Sequence, residues 1–103
     1  MRLSPIELNH IIQVVLDWRK VPLELFLTGS RVDDECLGGD IDLLIIVLNP
    51  AEVEQVKMAR PALLVQLKDR LGDQRIDLTI AGQTEFARDP VLKSMLEKAV
   101  RLN

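Results

Sequence analysis

Cysteine and aromatic residues are scarce in this 103-residue sequence, which has one cysteine, two phenylalanines, one tryptophan and no tyrosine. Because Cys36 stands alone, no disulfide can form within the chain. This is typical of the reducing cytoplasm, where we expect Cys36 to be structural or incidental. So few aromatic rings give no base-stacking platform for single-stranded nucleic acid. Sixteen acidic residues against thirteen basic ones give a net charge of −3, which argues against an extensive nucleic-acid surface.

Long hydrophobic runs are also missing. No apolar run approaches the ~18 residues that a membrane-spanning helix needs, and the N-terminal residues lack the apolar core of a signal peptide. We therefore expect no membrane association and a cytoplasmic protein. What is present is an ordinary globular composition, with 48% apolar and 28% charged residues. The length predicts one domain, spanning residues 1–103.

Helix-start signals occur at two places. Ser4, Pro5 and Glu7 form the pattern of a capping box with proline at the first helical position, which predicts a helix to about Lys20. An apolar stripe follows at Ile6, Ile11, Ile12, Val15, Leu16 and Trp18. His10 lies in this helix, and we interpret it as a surface or partner-facing residue because no second histidine exists to complete a histidine metal site.

The second start signal, Asn49-Pro50, predicts a helical segment to about Leu71, which Pro61 should kink or divide. Its expected core contacts are Val53, Val56, Leu63, Leu64, Leu67 and Leu71. A last helical region begins near Thr84 and restarts at Asp89-Pro90. Its apolar stripe consists of Val91, Leu92, Met95, Leu96, Val100 and Leu102.

Three segments have the pattern of strands: Leu23 to Thr28, Asp40 to Leu48, and Gln74 to Ile80, after which Ala81 and Gly82 turn away. The order is helix, strand, strand, helix, strand, helix. It predicts an α/β (α+β) fold in which helices cover one face of a small mixed β-sheet of three or more strands. The other face would be open.

Asp40 and Asp42 stand at the start of the second strand. Residues i and i+2 of a strand point to the same face, so the two carboxylates should project together. Like charges this close repel unless a cation neutralises them, and oxygen ligands suit a hard cation such as Mg²⁺. The alternative is a solvated strand end with two ordinary acidic residues.

The turn Gly29-Ser30 follows the first strand and precedes this aspartate pair. Its backbone N–H groups and small hydroxyl could bind phosphate, and glycine lets the phosphate approach the backbone. If the third strand pairs with the second, Asp77 would join Asp40 and Asp42 on the open face. The combination would bind a nucleoside triphosphate with Mg²⁺, and two metal ions could stabilise both oxygens of an in-line displacement.

Gly29-Ser30, nine intervening residues and Asp40-Ile41-Asp42-Leu43 resemble the signature of the nucleotidyltransferase superfamily related to DNA polymerase beta. The whole chain resembles its minimal nucleotidyltransferases of bacteria and archaea, and Arg75-Ile76-Asp77-Leu78 falls where that family has its third aspartate. The resemblance implies metal ligands at Asp40, Asp42 and Asp77, the last as ligand or base. It also implies triphosphate contacts at Gly29 and Ser30.

Three further sequence features bear on the predicted nucleotide site. Arg31 matches a commonly basic position of the family, where it would neutralise phosphate or form a structural ion pair. Gly39 stands where the family commonly has serine or threonine before the first aspartate. The acidic run Asp33-Asp34-Glu35 would weaken triphosphate binding unless it faces solvent or a partner.

The resemblance implies transfer of a nucleoside monophosphate, AMP from ATP, to a hydroxyl of a partner macromolecule. It also implies a toxin–antitoxin setting, in which the partner is a small helical HEPN-type toxin and this chain its antitoxin. The alternative is a binding module that neutralises its partner by contact and has a vestigial nucleotide site; a plain homo-oligomeric scaffold is a third hypothesis. Base preference, acceptor and oligomeric state stay open.

Overall fold

A computed structural model describes residues 4–19, 21–28, 41–72 and 74–103, with side chains in the first range described as far as residue 17. The elements in chain order are α1 (Pro5–Arg19), β1 (Leu23–Thr28), β2 (Ile41–Val47), α2 (Val53–Met58), α3 (Arg60–Leu71), β3 (Ile76–Gly82), α4 (Gln83–Arg88), α5 (Pro90–Glu97) and β4 (Val100–Arg101). A short 3₁₀ turn, Pro50–Glu52, leads into α2. In this part of the chain no helix is both long and apolar enough to cross a membrane.

The start of α1 confirms the predicted capping box. The Glu7 backbone N–H donates to the Ser4 hydroxyl oxygen at 3.1 Å, and the Ser4 N–H donates to a Glu7 carboxylate oxygen at 3.2 Å. Two backbone donors that the first helical turn leaves unpaired are thereby satisfied.

The predicted mixed sheet is confirmed, with four strands in the order β3-β2-β1-β4. Strands β1 and β2 are antiparallel, and β2 and β3 are parallel, joined by a crossover through α2 and α3. The parallel pair brings the start of β3 beside the start of β2. This arrangement places Asp77 of β3 opposite Asp42 of β2.

One face of the sheet carries the larger core, formed against α1, α2 and α3. Alternate residues of each strand point to this face, because successive side chains of a strand alternate. The most deeply buried side chains of this core are Ile11, Val15, Leu25, Leu27, Ile41, Leu43, Ile45, Val47, Val56, Leu63 and Leu67. Five of the six core contacts expected on α2 and α3 are buried, and Leu64 is half-buried against the same core.

The opposite face is partly covered as well, which the sequence did not predict. Leu44 and Ile46 of β2 and Ala81 of β3 form a second core with Phe86 of α4. Half-buried side chains of α5 pack against it, namely Leu92, Met95 and Leu96. Only part of this face is therefore open.

Pro61 divides the long helical segment, as predicted. The break falls at Ala59, between α2 and α3, and Pro61 occupies the first turn of α3, where its missing N–H costs nothing. Gly72 ends α3 with a φ of 80°, a left-handed conformation that favours glycine.

Residues 81 and 82 were predicted to turn away from the sheet, and this was wrong: both belong to β3, paired with Ile46 and Val47. Gly82 is explained by packing instead, because a Cβ at this position would lie 2.9 Å from Cγ2 of Val53 in α2. The Gly82 N–H also donates to Glu85 in α4. The Lys57 ammonium, 2.9 Å from both Glu85 carboxylate oxygens, together with this N–H keeps the pKa of Glu85 below its usual value.

The C-terminal residues were also predicted incorrectly. Val100 and Leu102 were assigned to a helical stripe, but Val100–Arg101 forms β4 beside β1. The side chain of Asn103 continues the pairing: its oxygen accepts from the Leu25 N–H at 2.8 Å, and its amide donates to the Leu23 carbonyl at 3.0 Å. The amide thus replaces a backbone peptide group along the edge of β1.

Replacing Asn103 by alanine should lower the free energy of unfolding by about 1–2 kcal/mol, because a part-buried N–H and carbonyl of β1 lose their partner. Equilibrium urea unfolding measures the change. Asn9→Ala, an exposed position in α1, is the matched control and should shift the free energy by less than about 0.5 kcal/mol. Equal stability of the two variants would contradict the pairing of Asn103 with β1.

Candidate functional site

Three polar side chains form a row across the partly open face of the sheet. Thr28 at the end of β1 is paired with Asp42 of β2, and Asp42 is paired with Asp77 of β3. Residues directly opposite on neighbouring strands point to the same face, with strands about 4.8 Å apart. The condition under which Asp77 was expected to join Asp42 is met, because the third strand pairs with the second and places Asp77 opposite Asp42.

Thr28 fixes the β1 end of this row. It is 6% exposed, and its hydroxyl donates to the backbone carbonyl of Met95 in α5 at 3.4 Å. The next residue along the chain is Gly29. The contact therefore ties α5 to the strand end that leads into the predicted phosphate-binding turn.

An open cleft of about 390 Å³ lies at the β2 and β3 part of the row. Its polar lining consists of Asp42, Asp77, Thr79 and Arg60, and Met95 of α5 contributes an apolar wall. Asp42 is half-buried and Asp77 is exposed. The cleft is thus lined by two carboxylates, one on each of the neighbouring strands β2 and β3.

Among the described residues, Arg60 is the cation that lines this cleft, and no sequence pattern predicted it there. It is the first residue of α3, on the opposite side of β3 from β2, and its Nε donates to the Leu78 carbonyl at 2.7 Å. Leu78 directly follows Asp77. Arg60 was missed because its nearness to Asp77 depends on the crossover packing of α3 against β3.

Several predicted site residues lie outside the described residues. They are Gly29, Ser30, Arg31 and Asp40, together with Cys36, Gly39 and the acidic run Asp33-Asp34-Glu35. The structure thus brings together two of the three predicted carboxylates. Within the described ranges, no group of three or more histidine, cysteine, aspartate or glutamate side chains is arranged to hold a metal ion.

The two described carboxylates fit a hard divalent cation in their chemistry. Carboxylate oxygens are the preferred protein ligands of Mg²⁺, which commonly takes one or two of them and completes its shell with water and substrate phosphates. Asp42 is the half-buried member of the pair, on a central strand. Asp77, on an edge strand, is the accessible one.

Comparison with known proteins adds no family assignment. No model of a protein family matches this chain, and no curated protein matches it in sequence.

Proposed function

We propose that this chain is a Mg²⁺-dependent nucleotidyltransferase that transfers AMP from ATP to a hydroxyl of a partner macromolecule. The observation that carries the proposal is the pairing of Asp42 with Asp77 at the base of an open cleft. The neighbouring strand β1 ends in the same row and leads directly into Gly29-Ser30. Carboxylates and a phosphate-binding turn at one end of a sheet are what such a reaction needs.

The proposed roles of the residues outside the described ranges follow from the resemblance of the sequence, and those of Asp42 and Asp77 also from their positions in the cleft. Gly29 and Ser30 would bind the terminal phosphates, and Arg31 would neutralise part of their charge. Asp40 and Asp42 would hold Mg²⁺, which when bound would neutralise charge on the phosphates and stabilise the entering and leaving oxygens. Asp77 is exposed at the far side of Asp42, where it would accept the proton of the acceptor hydroxyl.

The proposed biological setting is that of an antitoxin acting on a small helical HEPN-type toxin. Its support is the resemblance of the sequence to the minimal nucleotidyltransferases. The acceptor would dock on the cleft that Asp42 and Asp77 line. A partner protein that brings its own surface fits this requirement.

Titration calorimetry with ATP tests the proposal. In the presence of Mg²⁺, ATP should bind, and Asp42→Asn should weaken its affinity at least about tenfold because a metal ligand loses its charge. Asp69→Asn is the matched control, an exposed aspartate on α3 away from the cleft, and should bind as the unchanged protein does. If the folded protein gives no heat with ATP, GTP, CTP or UTP, the binding module is favoured instead.

A further inference from the structure

The guanidinium of Arg60 is held in place at the edge of the carboxylate cleft. Its Nε is committed to the Leu78 carbonyl, and no other hydrogen bond or ion pair of Arg60 is found among the residues that the structure describes. The side chain is exposed and lines the same cleft as Asp42 and Asp77. Among the described residues, the two terminal nitrogens have no partner, and together they form a fork of donors.

Such a fork is suited to a carboxylate or phosphate, which it can bind through two parallel hydrogen bonds. Anchoring Nε beforehand fixes the plane of the guanidinium, so less side-chain freedom is lost when an anion binds. The guanidinium of Arg60 is therefore suited to binding an anionic group of a ligand.

The strand order separates Arg60 from the end of β1, the strand that precedes the proposed phosphate-binding turn in the sequence. That turn follows β1, and β2 and β3 lie between β1 and Arg60, which is about 10 Å of sheet. Phosphates held beside the end of β1 would lie about two strand spacings from β3, whose outer edge Arg60 contacts. The acceptor, whose hydroxyl must approach Asp77, would pass beside it.

We infer that Arg60 binds a carboxylate of the acceptor, so that the preferred acceptor is a protein segment with an acidic residue beside the modified hydroxyl. This inference rests on the proposed function. A protein is favoured over a nucleic acid because the chain has a net charge of −3 and only three aromatic residues. The two carboxylates that line the cleft would also repel the many negative charges of a nucleic acid.

The transfer step balances without a further reactant. The acceptor hydroxyl oxygen forms a bond to the α-phosphorus of ATP while the bond from that phosphorus to the α,β-bridging oxygen breaks. Pyrophosphate leaves with the electron pair, and the hydroxyl proton passes to Asp77. Arg60 takes no part in bond making; it holds the acceptor in position.

The test uses α-³²P-labelled ATP, Mg²⁺ and three peptide pools of equal length with a central tyrosine, serine or threonine. The pools differ only in whether glutamate, glutamine or lysine flanks the hydroxyl residue. The unchanged protein should label the glutamate pool about tenfold more than the glutamine pool. Arg60→Gln should reduce this ratio to about one, and Arg60→Glu should favour the lysine pool.

Arg70→Gln is the matched control, an exposed arginine on the same helix about 15 Å along its axis, and should keep the preference. The reversed preference of Arg60→Glu cannot arise from misfolding. Equal labelling of the glutamate and glutamine pools, or a preference that survives Arg60→Gln, would overturn the inference.

Labelling of a short single-stranded RNA in place of every peptide would also overturn it. So would the absence of any labelled acceptor, and calorimetry then separates the two proposals. If ATP still binds with Mg²⁺, only the inference about Arg60 falls; if it does not, the proposed function falls with it.

Discussion

Replacing Asp77 by asparagine should slow AMP transfer to the glutamate peptide pool by at least about 100-fold while leaving Mg²⁺-dependent ATP affinity within about threefold. The reason lies in the strand order. Asp77 is on β3, separated by β2 from the strand that leads into Gly29-Ser30. As the exposed carboxylate beside the acceptor side of the cleft, it would act on the hydroxyl and contribute little to holding the nucleotide.

Asp42→Asn should behave differently, losing both ATP affinity and transfer. Asp42 is half-buried and paired on one side with Thr28, next to the proposed phosphate turn, and on the other with Asp77. Asp69→Asn again provides the control and should change neither quantity. If Asp77→Asn lost ATP affinity as severely as Asp42→Asn, Asp77 would be a ligand for the nucleotide's metal and its assignment as the base would be wrong.

Leu44→Ala should lower the free energy of unfolding by about 2–5 kcal/mol. Leu44 is fully buried on the central strand β2, on the face covered by α4 and α5. Truncation removes apolar contact area and leaves a cavity that the stiff sheet cannot close. Equilibrium unfolding in guanidinium chloride measures the loss. If unfolding stays two-state, the slope of the unfolding free energy against denaturant concentration should be the same for the variant and the unchanged protein.

The control for this substitution is Val65→Ala on α3. Val65 is 60% exposed, so its truncation should change the free energy of unfolding by less than about 0.5 kcal/mol. A cost below about 1 kcal/mol for Leu44→Ala would contradict the second core. Because Met95 belongs to that core and also lines the carboxylate cleft, Leu44→Ala should in addition weaken ATP binding.

Local signals predicted much of the fold. The capping box at Ser4 and Glu7, the division of the helix near Pro61 and the cap at Asp89 are all present, because each depends on residues only a few positions apart. Strand β1 has the predicted bounds, and β2 ends at Val47, one residue before the predicted end, while its predicted first residue, Asp40, lies outside the described residues. Alternation and capping are short-range effects that the sequence displays directly.

Burial along α1 was predicted less well. Ile6 and Leu16 were assigned to its apolar stripe, but their side chains are 70% and 41% exposed, while Val14 is buried. A stripe of residues every three or four positions allows more than one face of a helix to be chosen. The face that is buried depends on where α3 and the sheet lie, and those contacts are distant in sequence.

The sequence by itself determined most of the elements and two residues of the site: the strands that carry Asp42 and Asp77, the capped start of α1 and the division of the helix near Pro61. Only the tertiary structure decided that β3 lies parallel beside β2, in the register that places Asp77 opposite Asp42. The tertiary structure also placed Arg60 and Met95 in the same cleft, and it covered part of one face of the sheet with α4 and α5. The physical reason is that the hydrogen bonds of a turn or helix join residues close together in the sequence, so their pattern is visible there. Strand pairing and packing join residues that are far apart in the sequence, and no local pattern of residues indicates which segments will meet.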